Sequence, residues 1–95
     1  MDSTHIDRTL DAFVAWASRH GAAKLGMQTA NPTATLDIDS ARFTATITYW
    51  RSRQCDALIM EIQSGQPCYQ ESWDDLAPTD FETAFEPFLA IAHMQ

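Results

Sequence analysis

The sequence predicts an α+β fold: an N-terminal helix, a four-stranded antiparallel meander sheet and a C-terminal helix, with both helices packed on one face of the sheet. Three observations carry this expectation. Residues 41–73 hold three β-rich runs, Ala41–Trp50, Cys55–Gln63 and Pro67–Trp73, separated by short polar breaks at Arg51–Gln54 and Ser64–Gln66. Thr33–Asp39 adds a leading strand with the same alternation. The segments at either end place apolar residues at helical spacing instead.

The first helix is expected over Thr4–His20. Ile6, Leu10, Phe13, Val14 and Ala17 form its stripe, and Trp16 lies at the stripe's edge. Thr4 and Asp7 resemble a capping box, while Arg19, His20 and Gly21 suit a helix C-terminus. Residues 22–32 read as a connector, with Leu25 and Met27 tucked under the sheet edge.

Strand register follows from the turns. A turn at Asp39-Ser40 pairs Leu36 with Phe43 in the core and Asp37 with Arg42 outside. If Arg51–Gln54 form a four-residue loop, Tyr49, Ile47, Ala45 and Phe43 face Asp56, Leu58, Met60 and Ile62 across the inner face. The outer face then carries Thr44, Thr46, Thr48 and Trp50 with Cys55, Ala57, Ile59 and Glu61, as suits a sheet with one side in water. A two-residue turn at Ser64-Gly65 or Gly65-Gln66 brings Tyr69, Glu71 and Trp73 to the inner face. An inward carboxylate on an edge strand has two readings. The favoured one is a guard against edge-to-edge pairing, a common device; the other is a residue beyond the helices' cover that a partner can reach.

The closing helix begins with Thr79-Asp80-Phe81-Glu82, a capping box preceded by Pro78. Phe81, Ala84, Phe85, Phe88, Leu89 and Ala92 form its stripe, and Pro87 is expected to kink it or split it after Glu86.

Composition narrows the functional classes. The 95 residues suit one domain spanning 1–95, and 45% apolar content favours a packed core over disorder. Thirteen acidic against six basic residues give a net charge of -7, which argues against nucleic acid as a partner and for a basic protein surface. From Gln54 onward there is no Lys or Arg, whereas Asp56, Glu61, Glu71, Asp74, Asp75, Asp80, Glu82 and Glu86 fall there. An acidic docking face and a merely solvating surface explain this asymmetry equally well. Met1 is followed by Asp-Ser-Thr-His rather than a basic and apolar leader, and no apolar stretch approaches the ~20 residues of a membrane span, so a cytoplasmic location and no membrane partner are expected.

Specific chemistry is sparse. The register holds Cys55 and Cys68 too far apart for a disulfide, at ~3.3 Å of rise per residue. The histidines lie near the helix ends without ligand spacing, so no metal is expected. The glycines form no phosphate-binding loop, no nucleophile-base pair is evident, and neither a cofactor nor an enzyme is expected. Asp74-Asp75 alone is a weak cation signal.

The segment Ile47–Gln66, with Trp50, a short break, the Cys55-Asp56 pair and the strand after it, resembles the immunity protein TriTu family of bacterial polymorphic toxin systems. The likeness continues through Tyr69-Gln70-Glu71 and the closing helix with Phe88-Leu89, roughly the C-terminal half. The resemblance implies a small cytoplasmic protein that binds and neutralises a cognate toxin. An acidic domain could mask a basic active-site groove, with electrostatic steering speeding capture. The candidate contact residues are Asp56, Glu61, Glu71, Asp74 and Asp75, with Trp50 and Trp73 as aromatic anchors. Against this, the carboxylates are equally explained as solvated charge and Trp73 as core. Rival classes are an acidic secretion chaperone, which predicts a dimer and an extended peptide partner, and a small-molecule or enzymatic domain, which predicts a polar pocket. The toxin's identity and the oligomeric state are not legible.

Overall fold

The computed structural model describes residues 3–26 and 32–93. In chain order it has α1 (Ser3–Ala17), β1 (Ala22–Gly26), β2 (Thr33–Asp39), β3 (Phe43–Trp50), β4 (Cys55–Glu61), β5 (Pro67–Trp73), a 3-10 turn (Pro78–Asp80), α2 (Phe81–Ala84) and α3 (Glu86–Ala92). The strands form one antiparallel sheet of five in the order β1-β2-β3-β4-β5. The α+β architecture and the meander agree with expectation; the strand count does not. The additional strand is β1, in the stretch expected to be a connector. Ala-Ala-Lys-Leu-Gly has little β-propensity of its own, and pairing with β2 along its whole length makes it a strand. Leu25 is 46% exposed on this edge rather than tucked beneath it. Met27, Ile6 and the Thr4–Asp7 cap fall outside the residues whose side chains are described.

α1 packs on β1, β2 and β3, and α3 packs on β3 and β4, so the helices share one face of the sheet. Regular helix ends at Ala17 rather than His20, and residues 18–20 turn the chain into β1. Gly21 closes that turn by donating to the Ala17 carbonyl at 3.0 Å. A Cβ there would lie 2.8 Å from both the Asp37 carbonyl oxygen and Ile38 Cγ1, so the close approach to β2 is what demands glycine.

The core is largely aromatic. Phe13 from α1 stacks on Tyr49 of β3 at 5.2 Å and meets Phe81 edge-on at 5.6 Å. Trp73 meets Phe85 edge-on at 5.3 Å, and Tyr69 meets Phe88 at 6.1 Å. Each fully buried side chain of this size contributes roughly 1.5–3 kcal/mol. The expected stripes of both terminal segments lie in this core, and Trp16, expected at an edge, is 5% exposed.

Two registers differ from expectation. Leu36 pairs with Ile47 and Asp37 with Thr46, a shift along the strand that leaves each on its expected face. The β3–β4 register changes face. Tyr49 opposes Cys55, Ile47 opposes Ala57, Ala45 opposes Ile59 and Phe43 opposes Glu61. Cys55, Ala57 and Ile59 are therefore buried, while Asp56, Leu58 and Met60 lie on the outer face, the reverse of the expected arrangement. The cause is a turn with an odd number of residues. Trp50 donates to the Gln54 carbonyl and Arg53 donates to the Trp50 carbonyl, leaving Arg51–Arg53 as the loop, with Arg53 in the left-handed region at φ 77°.

A second irregularity restores the parity of β5. Ile59 pairs with Tyr69 and Met60 with Pro67, so Cys68 is the extra residue of a β-bulge. Tyr69, Glu71 and Trp73 consequently reach the inner side, as expected, although by a different route. The turn after β4 spans 62–65, with Gly65 at φ 70° donating to the Glu61 carbonyl, rather than two residues.

The closing helix is split, as Pro87 predicts, but the break falls at Phe85, just before Glu86. The proline lacks the N–H that would bond the Thr83 carbonyl and its ring crowds that carbonyl. The Thr79–Glu82 capping box does not form: Thr79 lies inside the 3-10 turn, and neither it nor α2 has a side-chain cap bond.

Candidate functional site

With both helices on one side, the other side of β3, β4 and β5 has no element packed over it among the described residues. This outer face mixes hydroxyl-bearing and apolar side chains with a single carboxylate. Thr44, Thr46 and Thr48 stand on β3, Met60, Leu58 and Asp56 oppose them on β4, and Pro67, Gln70 and Ser72 follow on β5. Trp50 lies one step beyond Thr48, diagonal to Asp56. Trp50, Leu58 and Met60 are half-buried and Asp56 is exposed. Toward β1 the face carries Asp37, which accepts from Thr46 Oγ1 at 3.0 Å and lies 3.9 Å from Lys24.

The expected contact residues do not gather in one place. Trp50 and Asp56 share the outer face. Glu61 ends β4 on the inner side opposite Phe43 and accepts from Ser64 Oγ at 2.7 Å, which fixes it to its own turn. Glu71 and Trp73 also belong to the inner side. Trp73 packs half-buried against the core, whereas Glu71 is exposed beyond the helices' cover. Asp74 and Asp75 are exposed where the chain leaves β5. Asp75 is not free there, since Arg53 Nε donates to it at 2.7 Å.

That corner is tied by backbone as well. Leu76 N–H donates to the Arg53 carbonyl at 2.8 Å, and the buried Tyr49 hydroxyl donates to the Leu76 carbonyl at 2.6 Å. Burial pushes the Tyr49 hydroxyl up to about 12, so it remains a donor at neutral pH. Burial, aided by the adjacent Asp56 charge, likewise raises the Cys55 thiol to about 12. Cys55 is buried, not on the outer face as expected; Cys68 is exposed at the bulge, and both are free.

On the opposite side, a groove of about 460 Å³ runs between α1 and the C-terminal elements, lined by Ala12, Ala15, Trp16, Arg19, Pro78, Phe81 and Glu82. Its polar members are the exposed Arg19 and Glu82, which bond each other at 3.3 Å. Burial against Trp16 lowers the affinity of nearby His20 for a proton, Glu82 opposing the shift. No three His, Cys, Asp or Glu side chains come together as metal ligands among the described residues, and no described helix is long and apolar enough to cross a membrane.

The sequence model of Immunity protein TriTu matches residues 11–91, from within α1 to within α3. The chain belongs to the TriTu immunity protein family. The match covers every described strand and extends N-terminal to the Ile47–Leu89 region that carries the resemblance. No curated protein matches the sequence. Family membership assigns the chain an immunity role in the general sense.

The TriTu sheet also presents residues that sequence reasoning put elsewhere. Leu58 and Met60 were expected in the core but belong to the open face. A usable signal was Asp56. The expected register set its carboxylate on the inner face opposite Tyr49, and an unpaired buried carboxylate is costly enough to disfavour that register.

Proposed function

We propose that this protein binds a cognate bacterial toxin domain in the cytoplasm and neutralises it by covering the toxin's active or substrate-binding surface. The observation that carries the reading is the TriTu family match across residues 11–91. The charge distribution supports it. The chain from Gln54 onward is anionic with no Lys or Arg of its own, and only Glu82 and Asp75 there pair with earlier arginines among the described residues. That balance suits a toxin whose working surface is basic, as a surface that handles nucleic acid must be. Of the candidate contact residues, Asp56 and Trp50 share the outer face, Asp74 and Asp75 stand where the chain leaves β5, and Glu61, Glu71 and Trp73 belong to the inner side. Masking requires only a complementary surface and no chemistry from the inhibitor.

The test is co-expression with the product of the adjacent toxin reading frame. That product should arrest growth alone, be tolerated when this protein is present, and co-purify with it. A neighbouring product that is harmless on its own and forms no complex would remove the immunity reading.

A further inference from the structure

We infer that the toxin docks on the outer face of the sheet over β3–β5, centred on Asp56 between Leu58 and Trp50, and that its complement there is a cationic side chain set in an apolar rim. This inference rests on the immunity reading and adds the location and the chemistry of the contact.

The face is available, since both helices lie on the other side of the sheet. Its composition also exceeds what a solvated face needs. Threonines and Gln70 would suffice to keep it wet, yet Leu58, Met60 and Trp50 stand among them, partly covered by neighbours and still within reach. Trp and Met are enriched at protein interfaces, Trp as a large anchor and Met as an adaptable filler. Their placement around Asp56 matters: Met60, Leu58 and Asp56 follow each other along one side of β4, with Trp50 diagonal on β3. A partner that covers the apolar residues also removes water from the carboxylate, and a charge so desolvated requires a close opposite charge.

The charge around the site selects the occupant. Neither β4 nor β5 contains a Lys or Arg. Lys24 faces Asp37, and Arg53 is held by Asp75, whereas Asp56 has no ion pair among the described residues. A second copy of the chain is a poor occupant, because a two-fold contact centred on Asp56 would set the two unpaired carboxylates against each other. A basic protein surface is the complement that fits.

Leu58→Lys and Asp56→Lys each place a like charge against a basic partner on a solvent-facing position. Glu82→Lys and Glu86→Lys do so on the helical side and serve as controls. Affinity for the toxin domain encoded beside the gene is measured by titration calorimetry, with far-UV circular dichroism and the thermal midpoint confirming that each variant folds. Leu58→Lys and Asp56→Lys should each weaken binding at least about tenfold, with the controls near wild type. Outer-face variants that bind as wild type does, or losses confined to Glu82→Lys and Glu86→Lys, overturn the assignment. A wild-type protein that does not bind the toxin overturns the immunity reading itself, a result distinct from a misplaced surface. A wild-type dimer in sedimentation that Leu58→Lys dissociates overturns the proposal in favour of a second copy.

Discussion

The Tyr49 hydroxyl donates a buried 2.6 Å hydrogen bond to the carbonyl of Leu76, joining the middle of the sheet to the segment that leads from β5 to the C-terminal helices. The same ring stacks on Phe13, so one side chain connects the first helix, the sheet and the closing segment. Tyr49→Phe keeps the stacking and removes the donor. It should cost about 1–3 kcal/mol, the range for stranding a buried polar group, read from urea denaturation with an unchanged m value. An unchanged midpoint would show that the bond contributes nothing net.

Arg53 occupies the left-handed region at φ 77°, where a side chain costs roughly 1–2 kcal/mol relative to glycine. Its ion pair with Asp75 is largely exposed and offsets at most ~1 kcal/mol. Arg53→Gly should therefore leave stability unchanged or raise it by up to ~1 kcal/mol, and Arg53→Val should lower it. Thermal midpoints of the two variants decide the matter, and a glycine variant less stable than the valine variant would contradict the turn geometry.

At Gly21 the added Cβ of alanine would press on the backbone of β2, where Asp37 cannot yield without moving the strand. Gly21→Ala should destabilise by about 1–3 kcal/mol in chemical denaturation, the usual cost of overpacking. A neutral result would mean that the α1–β1 turn can shift away from the sheet.

The two thiols should behave oppositely. Cys68, exposed at the bulge, should react rapidly with a thiol reagent in the native state, and buried Cys55 only at the rate of unfolding. The raised Cys55 pKa has a second consequence. Because the folded protein holds the proton more tightly than the unfolded chain, this contribution to stability is complete below the unfolded thiol's pKa near ~8.5. It is lost as the pH rises from there toward about 12. Cys55→Ala should flatten that alkaline decline in pH-dependent denaturation, and an unchanged decline would assign it to other groups.

Much of the fold was legible because the strongest local patterns also define the core. Thr33–Asp39 forms a strand with the expected bounds, and the Leu10–Ala17 and Phe81–Ala92 stripes face the sheet. The rest depends on backbone geometry that no glycine or asparagine marks at Arg53 or Cys68, with Asp56 as the one side chain that argues for the observed β4 register. Arg53 takes a conformation more typical of glycine or asparagine, and the Cys68 bulge contains no glycine. β1 exists through pairing with β2 rather than through propensity. The candidate site was affected in proportion. Trp50 stayed on its expected face, but reversal of β4 carried Asp56 outward, together with Leu58 and Met60.

The odd turn at Arg53 and the bulge at Cys68 act on the sheet as two shifts of reading frame. A slip of β4 by one residue against β3 would invert β4 and, through its pairing, β5 as well, expelling Cys55, Ala57, Ile59, Tyr69 and Trp73 together. Drawing Cys68 into the ladder opposite Ile59 would invert the rest of β5 alone, whereas deleting it would keep every pair. A one-residue slip of register is therefore a heavier event than a substitution, and where it starts decides how many strands turn over.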